Sequence, residues 1–156
     1  MVTFDRFLAV VGFFRSSGYF KLRKELGDIS EIKILVGINI DDIFRKHNKA
    51  LLMLADEEKA KAIYQDDFKE DIIQARYAPE IEEGILQMCD DLVSGRLQMR
   101  IHATKNLHAK FYLCLPQHHS EHSDGWVIMG SSNISESGLG VSQAPRYELN
   151  VAMKRL

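Results

Sequence analysis

The segment HAKFYLCL, residues 108–115, begins with two side chains that could act together on one ligand. Its apolar character and its length are typical of a β-strand. Residues two positions apart in a strand point to the same face of the sheet, so His108 and Lys110 should share a face. An imidazole can act as a nucleophile or a general base, and an ammonium binds anionic oxygens.

A second polar group follows the next apolar segment, WVIMG (126–130). The dipeptide Asp-Gly at 124–125 is a turn signal, which predicts that the two segments form a β-hairpin. In the sequence GSSN (130–133), Ser131 and Asn133 are again two positions apart and are expected to share a face. The hairpin would then bring a hydroxyl and an amide beside the imidazole and the ammonium. Such a set of donors with a reactive imidazole suits a phosphate ester.

These motifs, HAKFYL, GSSNIS and YELNVA in chain order, resemble the phospholipase D superfamily, whose signature combines His-x-Lys with Gly-Ser-x-Asn. The resemblance is strongest over residues 97–153. The earlier segments RSSGYFKL and KILVGI also resemble the opening of bacterial members, many of which lie at the N-terminus of helicase-like or restriction-related proteins. The resemblance implies an α/β fold with a phospholipase D-like mixed β-sheet, and it implies that residues 1–156 form a single domain of this type.

The superfamily's chemistry implies a role for each matching residue. His108 would attack phosphorus and form a phosphohistidine, which water then hydrolyses. Glu148, in YELNVA, would orient the imidazole and favour its charged form. The resemblance assigns His108, Lys110, Asn133 and Glu148 to catalysis, and Ser131, Ser132, Lys110 and Asn133 to substrate binding.

The sequence departs from the superfamily's pattern at one position and supplies only one copy of the motif. The superfamily has an aspartate farther along the His-Lys strand, where Leu115 stands here. After the insertion PQHHSEHSD, either Asp124 replaces that aspartate or the aspartate is lost. Superfamily sites use two histidines, so the resemblance implies either a homodimer with two His108 side chains facing each other or a longer, helicase-type protein of which this chain is the N-terminal part.

The resemblance favours a metal-independent nuclease that acts on DNA, in a repair, restriction or helicase context. The alternative is a weakly active or inactive module that binds nucleic acid or a partner chain, which the leucine at position 115 supports. A phospholipid head-group hydrolase is disfavoured because no amphipathic membrane-binding segment stands out. A set of cations lies around the motif strands and forms either a groove or ordinary surface charge: Arg100, Lys105, Lys110, Arg146, Lys154 and Arg155.

The remaining histidines do not predict a metal site, and no cofactor is expected. His118, His119 and His122 lie in one polar loop, whereas metal ligands usually converge from several rigid elements. The His-Asn-Lys at 47–49 lies in a helix-like segment, where residues two apart point to different faces. His102 follows a strand and is expected to be a partly exposed polar residue.

The rest of the sequence predicts the elements that position these motifs. Apolar segments predict strands at 7–14, 32–38, 97–103, 110–115, 126–130 and 148–153. The segment 19–26 predicts a helix that ends at Gly27. Strand, helix and strand in this order predict a βαβ unit with parallel strands. Residues 41–93 are charged and helical in character, and a helix after Pro79 should bury the face formed by Ile81, Ile85, Cys89 and Leu92.

Composition is that of a globular domain. The 156 residues are 46% hydrophobic and 27% charged, with a net charge of -2 that indicates no strong basic field. Cys89 and Cys114 are expected to be buried free thiols, which favours a reducing compartment. No signal peptide and no apolar segment long enough to span a membrane is found, so the sequence predicts a cytoplasmic protein without a membrane partner.

Overall fold

The computed structural model describes residues 4–40, 79–102, 107–121, 123–143 and 146–154. The helical layer expected over 41–78 lies outside these residues, as do His47, Lys49, Lys105, His122 and Arg155. The elements are β1 (Arg6–Phe14), α1 (Ser16–Leu26), β2 (Glu31–Ile40), α2 (Pro79–Val93), β3 (Leu97–Ile101), β4 (Phe111–Leu115), β5 (Trp126–Gly130) and β6 (Asn150–Lys154).

The strands form one six-stranded mixed sheet in the order β3-β2-β1-β4-β5-β6. β1 is parallel to β2 and β2 is parallel to β3, whereas β1–β4, β4–β5 and β5–β6 are antiparallel. The predicted α/β class, the βαβ unit formed by β1, α1 and β2, and the β4–β5 hairpin are therefore confirmed. Because β1 is central, the ends of β1, β4 and β5 can meet at one site.

One face of the sheet and the two helices enclose the hydrophobic core. The helices contribute Tyr19, Phe20, Ile85 and Met88, and the strands contribute Phe7, Ala9, Val11, Ile32, Ile34, Val36, Leu97 and Tyr112. The alternation of these strand residues is the period-two pattern of a sheet with one face on a core. α1 begins at Ser16, earlier than predicted, and is followed by Gly27, whose positive φ of 57° is one that glycine adopts readily.

The buried face of α2 differs from the predicted one. Ile81 is 41% exposed, whereas Ile85, Met88 and Asp91 are buried. The helix is rotated toward α1 because Gly84 lies directly against the Phe20 ring, where any side chain would collide. The prediction is therefore wrong at Ile81, whereas Ile85 is in the core and Cys89 and Leu92 pack against it as expected.

A buried ion pair joins the two helices. The Asp91 carboxylate accepts hydrogen bonds from the Tyr19 hydroxyl and from Arg23 Nε, both at 2.7 Å. Arg96, which is partly exposed, donates a further hydrogen bond of 3.3 Å to the same carboxylate. Burial and the Asp91 charge hold the pKa of Tyr19 well above its ordinary value. Burial is the largest single influence on the pKa of Arg23 and lowers it, but the hydrogen bond to Asp91 and the negative charges nearby, that of Asp91 first, together outweigh burial and raise the pKa.

Both cysteines are free and partly buried. Burial raises the pKa of Cys89 to about 12 and also raises the pKa of Cys114. A thiol in that state is a poor nucleophile at neutral pH. Of the two helices that the structure describes, neither has the length and apolar character needed to cross a bilayer.

Candidate active site

The site lies where β4 begins and β5 ends, with His108 and Lys110 just before β4. Lys110 Nζ lies 3.0 Å from His108 Nε2 and donates to the His108 carbonyl oxygen at 2.8 Å. The two side chains therefore share a face, as the strand spacing predicts. An ammonium can only donate, so in this geometry Nε2 accepts and the ring proton sits on Nδ1. Nε2 then carries a lone pair at the exposed imidazole.

Lys110 is a buried cation that lacks an acidic partner within the described part of the chain. The residue is 8% exposed, and both of its contacts are to uncharged atoms of His108. A buried charge normally has a charge of opposite sign beside it, because leaving water costs several kcal/mol per ion. An anionic group of a ligand would supply that charge, and the exposed imidazole marks the side from which it would enter.

The Gly-Ser-Ser-Asn segment follows the end of β5 and does not continue the strand. Ser131 turns toward β6: its hydroxyl donates to Glu148 Oε2 and accepts the Leu149 N–H at 3.0 Å. Asn133 turns toward β1, where its Oδ1 accepts the Phe13 N–H at 2.9 Å. Since β1 and β6 lie on opposite sides of the hairpin, Ser131 and Asn133 do not share a face as the sequence spacing suggested.

Asn133 is held so that its amide nitrogen can donate to a ligand. A backbone N–H can only donate, so it fixes Oδ1 toward Phe13 and directs Nδ2 the other way. His108 lies close by: a Cβ placed on Gly12 would be 3.6 Å from both Asn133 Oδ1 and His108 Cα. The structure therefore brings the His-Lys pair and Asn133 together.

Glu148 contacts Ser131, and no contact with His108 is found among the described residues. The Ser131 hydroxyl has a single proton, which it uses in the hydrogen bond that it donates to Glu148. In this state Ser131 orients Glu148 and donates nothing to a ligand. The role of Glu148 in orienting the imidazole stays a prediction.

Ser132 is buried and is fixed by two residues that the sequence analysis did not select. Asn150 Nδ2 donates to its hydroxyl at 2.7 Å, and the Tyr112 hydroxyl donates to its carbonyl oxygen at 2.6 Å. Burial, and secondarily the negative charge of Glu148, raise the pKa of Tyr112 above its ordinary value, so its hydroxyl remains a donor. Asn150, two residues after Glu148, could have been found by the same period-two reasoning that selected Lys110.

Asp124 lies far from His108, at the opposite end of the hairpin. It forms an ion pair of 3.1 Å with Lys154, near the Trp126 end of β5, whereas the site is at the Gly130 end. Leu115 is buried at the far end of β4, where its backbone pairs with Arg6. Asp124 therefore occupies the Leu115 end of the hairpin without touching the site.

A cationic groove does not form as one cluster in the described part of the chain. Arg100 lies on β3 and Lys154 on β6, the two edges of the sheet, about 24 Å apart at the usual strand spacing. Lys154 is also paired with Asp124. Arg100 is close to the motif strands in sequence, but its strand β3 pairs with β2 at the edge of the sheet and not with the motif strands.

The His-rich loop has no organised metal site among the described residues, where no three potential ligands cluster. His118 is exposed, and His119 Nδ1 contacts the Ser123 hydroxyl at 2.9 Å. His102 is half-buried directly after β3, and its backbone N–H bonds to Val36.

Comparison with known proteins finds similar solved structures. No family model matches this chain, and no curated protein matches it. The solved structure of yeast tyrosyl-DNA phosphodiesterase has a TM-score of 0.48 and 12% identity, covering 97% of this chain and 25% of that one. A mutant of the same enzyme has a TM-score of 0.47 at 12% identity, covering 97% and 24%.

This chain spans about a quarter of the length of the chains that it matches.

Proposed function

We propose that this protein is a metal-independent phosphodiesterase that cleaves DNA through a covalent phosphohistidine at His108. One observation carries the proposal: a buried ammonium, that of Lys110, contacts the nucleophilic nitrogen of His108 and has no acidic partner in the described part of the chain. A phosphodiester would supply the missing negative charge and place phosphorus beside Nε2. Neither a purely structural lysine nor a metal site requires this arrangement.

The reaction would proceed in two displacements. Nε2 of His108 attacks phosphorus while the bond from phosphorus to the leaving oxygen breaks, and a second imidazole protonates that oxygen. As the phosphoryl group arrives, Lys110 exchanges its contact with Nε2 for a phosphoryl oxygen, and Asn133 Nδ2 donates to another. Water then attacks phosphorus and gives a proton to the second imidazole while the P–N bond breaks and frees His108. Each contact made only in the transition state is worth about 3 kcal/mol.

The second imidazole requires a second motif. We propose that it comes from another copy of this chain in a homodimer or from a domain attached to it, and the superfamily resemblance favours a helicase-type protein for the latter. In both cases residues 1–156 act as one domain. DNA as the substrate and the cytoplasm as the location are parts of this proposal, and the two free thiols fit a reducing compartment.

The second candidate is a binding module of low activity. The engagement of Ser131 with Glu148 favours it, since that pairing withholds one donor from a substrate. The leucine at 115 adds to it because the superfamily's supporting aspartate is missing there. Such a module would still bind an anion at Lys110, so binding alone does not separate the two candidates.

Cleavage of labelled single- and double-stranded DNA in excess EDTA separates them. The proposal expects cleavage that survives EDTA and falls by about 10³-fold or more in His108→Ala. His119→Ala, which changes an exposed loop histidine, is the matched control and should cleave like the unsubstituted protein. Binding without cleavage by the unsubstituted protein would favour the binding module, and cleavage that depends on added divalent metal would refute the proposal.

A further inference from the structure

β1 continues past the point where β4 leaves it, and the site is built on this continuation. β4 pairs with β1 only as far as Val10. Beyond that point the chain after β5 takes the place of β4. The Phe13 N–H bonds to Asn133 Oδ1 at 2.9 Å, and the Arg15 N–H bonds to the Ile134 carbonyl at 2.8 Å.

Gly12 lies in the middle of this continuation, opposite an irregularity in β2. The parallel register runs through Val11↔Val36 and resumes at Phe13↔Asn39, so β2 has two residues opposite the single Gly12. Such a bulge bends the sheet locally, and bulges are common next to active sites. One of the two β2 residues is Gly37.

The absence of side chains at these two positions lets the His108 segment lie directly on the sheet. A Cβ on Gly12 would be 3.1 Å from the Leu107 carbonyl oxygen, and a Cβ on Gly37 would be 2.9 Å from that same atom. Leu107 precedes the candidate nucleophile directly. The Cβ on Gly12 would also lie 3.6 Å from His108 Cα and 3.6 Å from Asn133 Oδ1.

We propose that Gly12 is a positioning residue that sets the spacing between His108 and Asn133. A methyl group there must move the Leu107–His108 backbone by a few tenths of an ångström. Asn133 stays attached to the Phe13 N–H, so the imidazole moves relative to the amide. Catalytic groups must be held within about 0.5 Å of their productive geometry, and a shift of a few tenths of an ångström uses up much of that tolerance, so a moderate loss of rate is expected. The inference rests on the proposed phosphodiesterase function.

The kinetic test compares Gly12→Ala with Gly84→Ala. We expect kcat to fall about 10-fold in Gly12→Ala with KM changed less than about 3-fold, because the binding groups remain while their alignment is lost. Gly84 lies in α2 against Phe20, so Gly84→Ala should lower stability and leave kcat unchanged. Wild-type kcat in Gly12→Ala, or an equal loss of kcat in Gly84→Ala, would overturn the positioning role.

NMR tests the inference without relying on activity, and its first part uses the unsubstituted protein alone. In the unsubstituted protein we expect nuclear Overhauser contacts from the Gly12 α-protons to the His108 α-proton, and their absence would overturn the inference. In Gly12→Ala the His108 ring and Asn133 side-chain amide resonances should both shift. If the unsubstituted protein cleaves no DNA while these shifts occur, the proposed function fails and the positional link between Gly12 and the two side chains stands.

Discussion

Replacing Lys110 by methionine should stabilise the protein and abolish its response to phosphate. Methionine matches the lysine side chain as far as Cε, with sulfur in place of Cδ, and lacks the ammonium. The ammonium is buried next to two uncharged acceptors, the Nε2 and the carbonyl oxygen of His108, with no acidic partner in the described part of the chain. His108 is exposed, so water can replace Lys110 at both acceptors.

The size of the effect follows from three contributions. The variant avoids desolvation of an ion, which costs several kcal/mol. It loses two hydrogen bonds from a charged donor, about 1.5–3 kcal/mol each. The aliphatic stem of Lys110 is already buried, so the apolar gain is only about 0.8 kcal/mol, the value of one methylene group. The balance is an increase of about 1–2 kcal/mol in the free energy of unfolding, which corresponds to a rise of about 3–6 °C in Tm for a domain of this size.

Thermal unfolding of both proteins with and without inorganic phosphate measures this. Phosphate at about 100 times its Kd should stabilise the unsubstituted protein by about 2.7 kcal/mol and leave Lys110→Met unchanged. Lys24→Met, which changes an exposed lysine at the end of α1, should alter neither quantity. A lower Tm in Lys110→Met, or an equal rise in its Tm with phosphate, would refute the view that Lys110 is a buried cation that binds an anionic ligand.

Three further perturbations test the fold and the site. Asp91→Asn should lower the free energy of unfolding by about 3–5 kcal/mol because it leaves the buried guanidinium of Arg23 unpaired. Arg96→Ala, which removes a partly exposed partner of Asp91, should lower it by under about 1 kcal/mol. Equal effects of the two substitutions in urea titrations would contradict this. Folding raises the pKa of both Tyr19 and Cys89, so the unfolded state loses these protons at lower pH than the folded state does. The free energy of unfolding should therefore be at its full value below about pH 8.5 and fall by up to about 1.4 kcal/mol per pH unit per group above the ordinary pKa values. A urea midpoint that does not change up to about pH 11 would refute this. Ser131→Ala should lower kcat about 10-fold and change the pH–rate profile by releasing the neighbouring carboxylate, so an unchanged profile would remove that role.

The sequence was most informative where a contact depends on local periodicity. Lys110 and His108 contact each other as their spacing suggested, although both precede β4 and neither lies in a strand. The β4–β5 hairpin follows from its turn signal and its two apolar segments. The βαβ unit was predictable from the order of its elements, since such crossovers give parallel strands.

The sequence was least informative where partners are distant along the chain. Asn133 is oriented by the backbone of Phe13, 120 residues away, and no local pattern indicates that pairing. Ser131 was placed on the wrong side because β5 ends at Gly130, so period-two reasoning no longer applies after it. Arg100 was grouped with the site because the strand order, which places β3 at the far edge, is a property of the whole sheet.

The most direct test of the central claim is intact-protein and peptide mass spectrometry of the protein, quenched at alkaline pH after incubation with DNA in EDTA. The proposed mechanism predicts a phosphate-linked nucleotide adduct on the peptide containing His108, lost in acid as expected of a P–N bond and absent in His108→Ala. An adduct on another residue would contradict the assignment of His108 as the nucleophile. So would rapid cleavage without an adduct on that histidine, under conditions in which the intermediate forms faster than it breaks down.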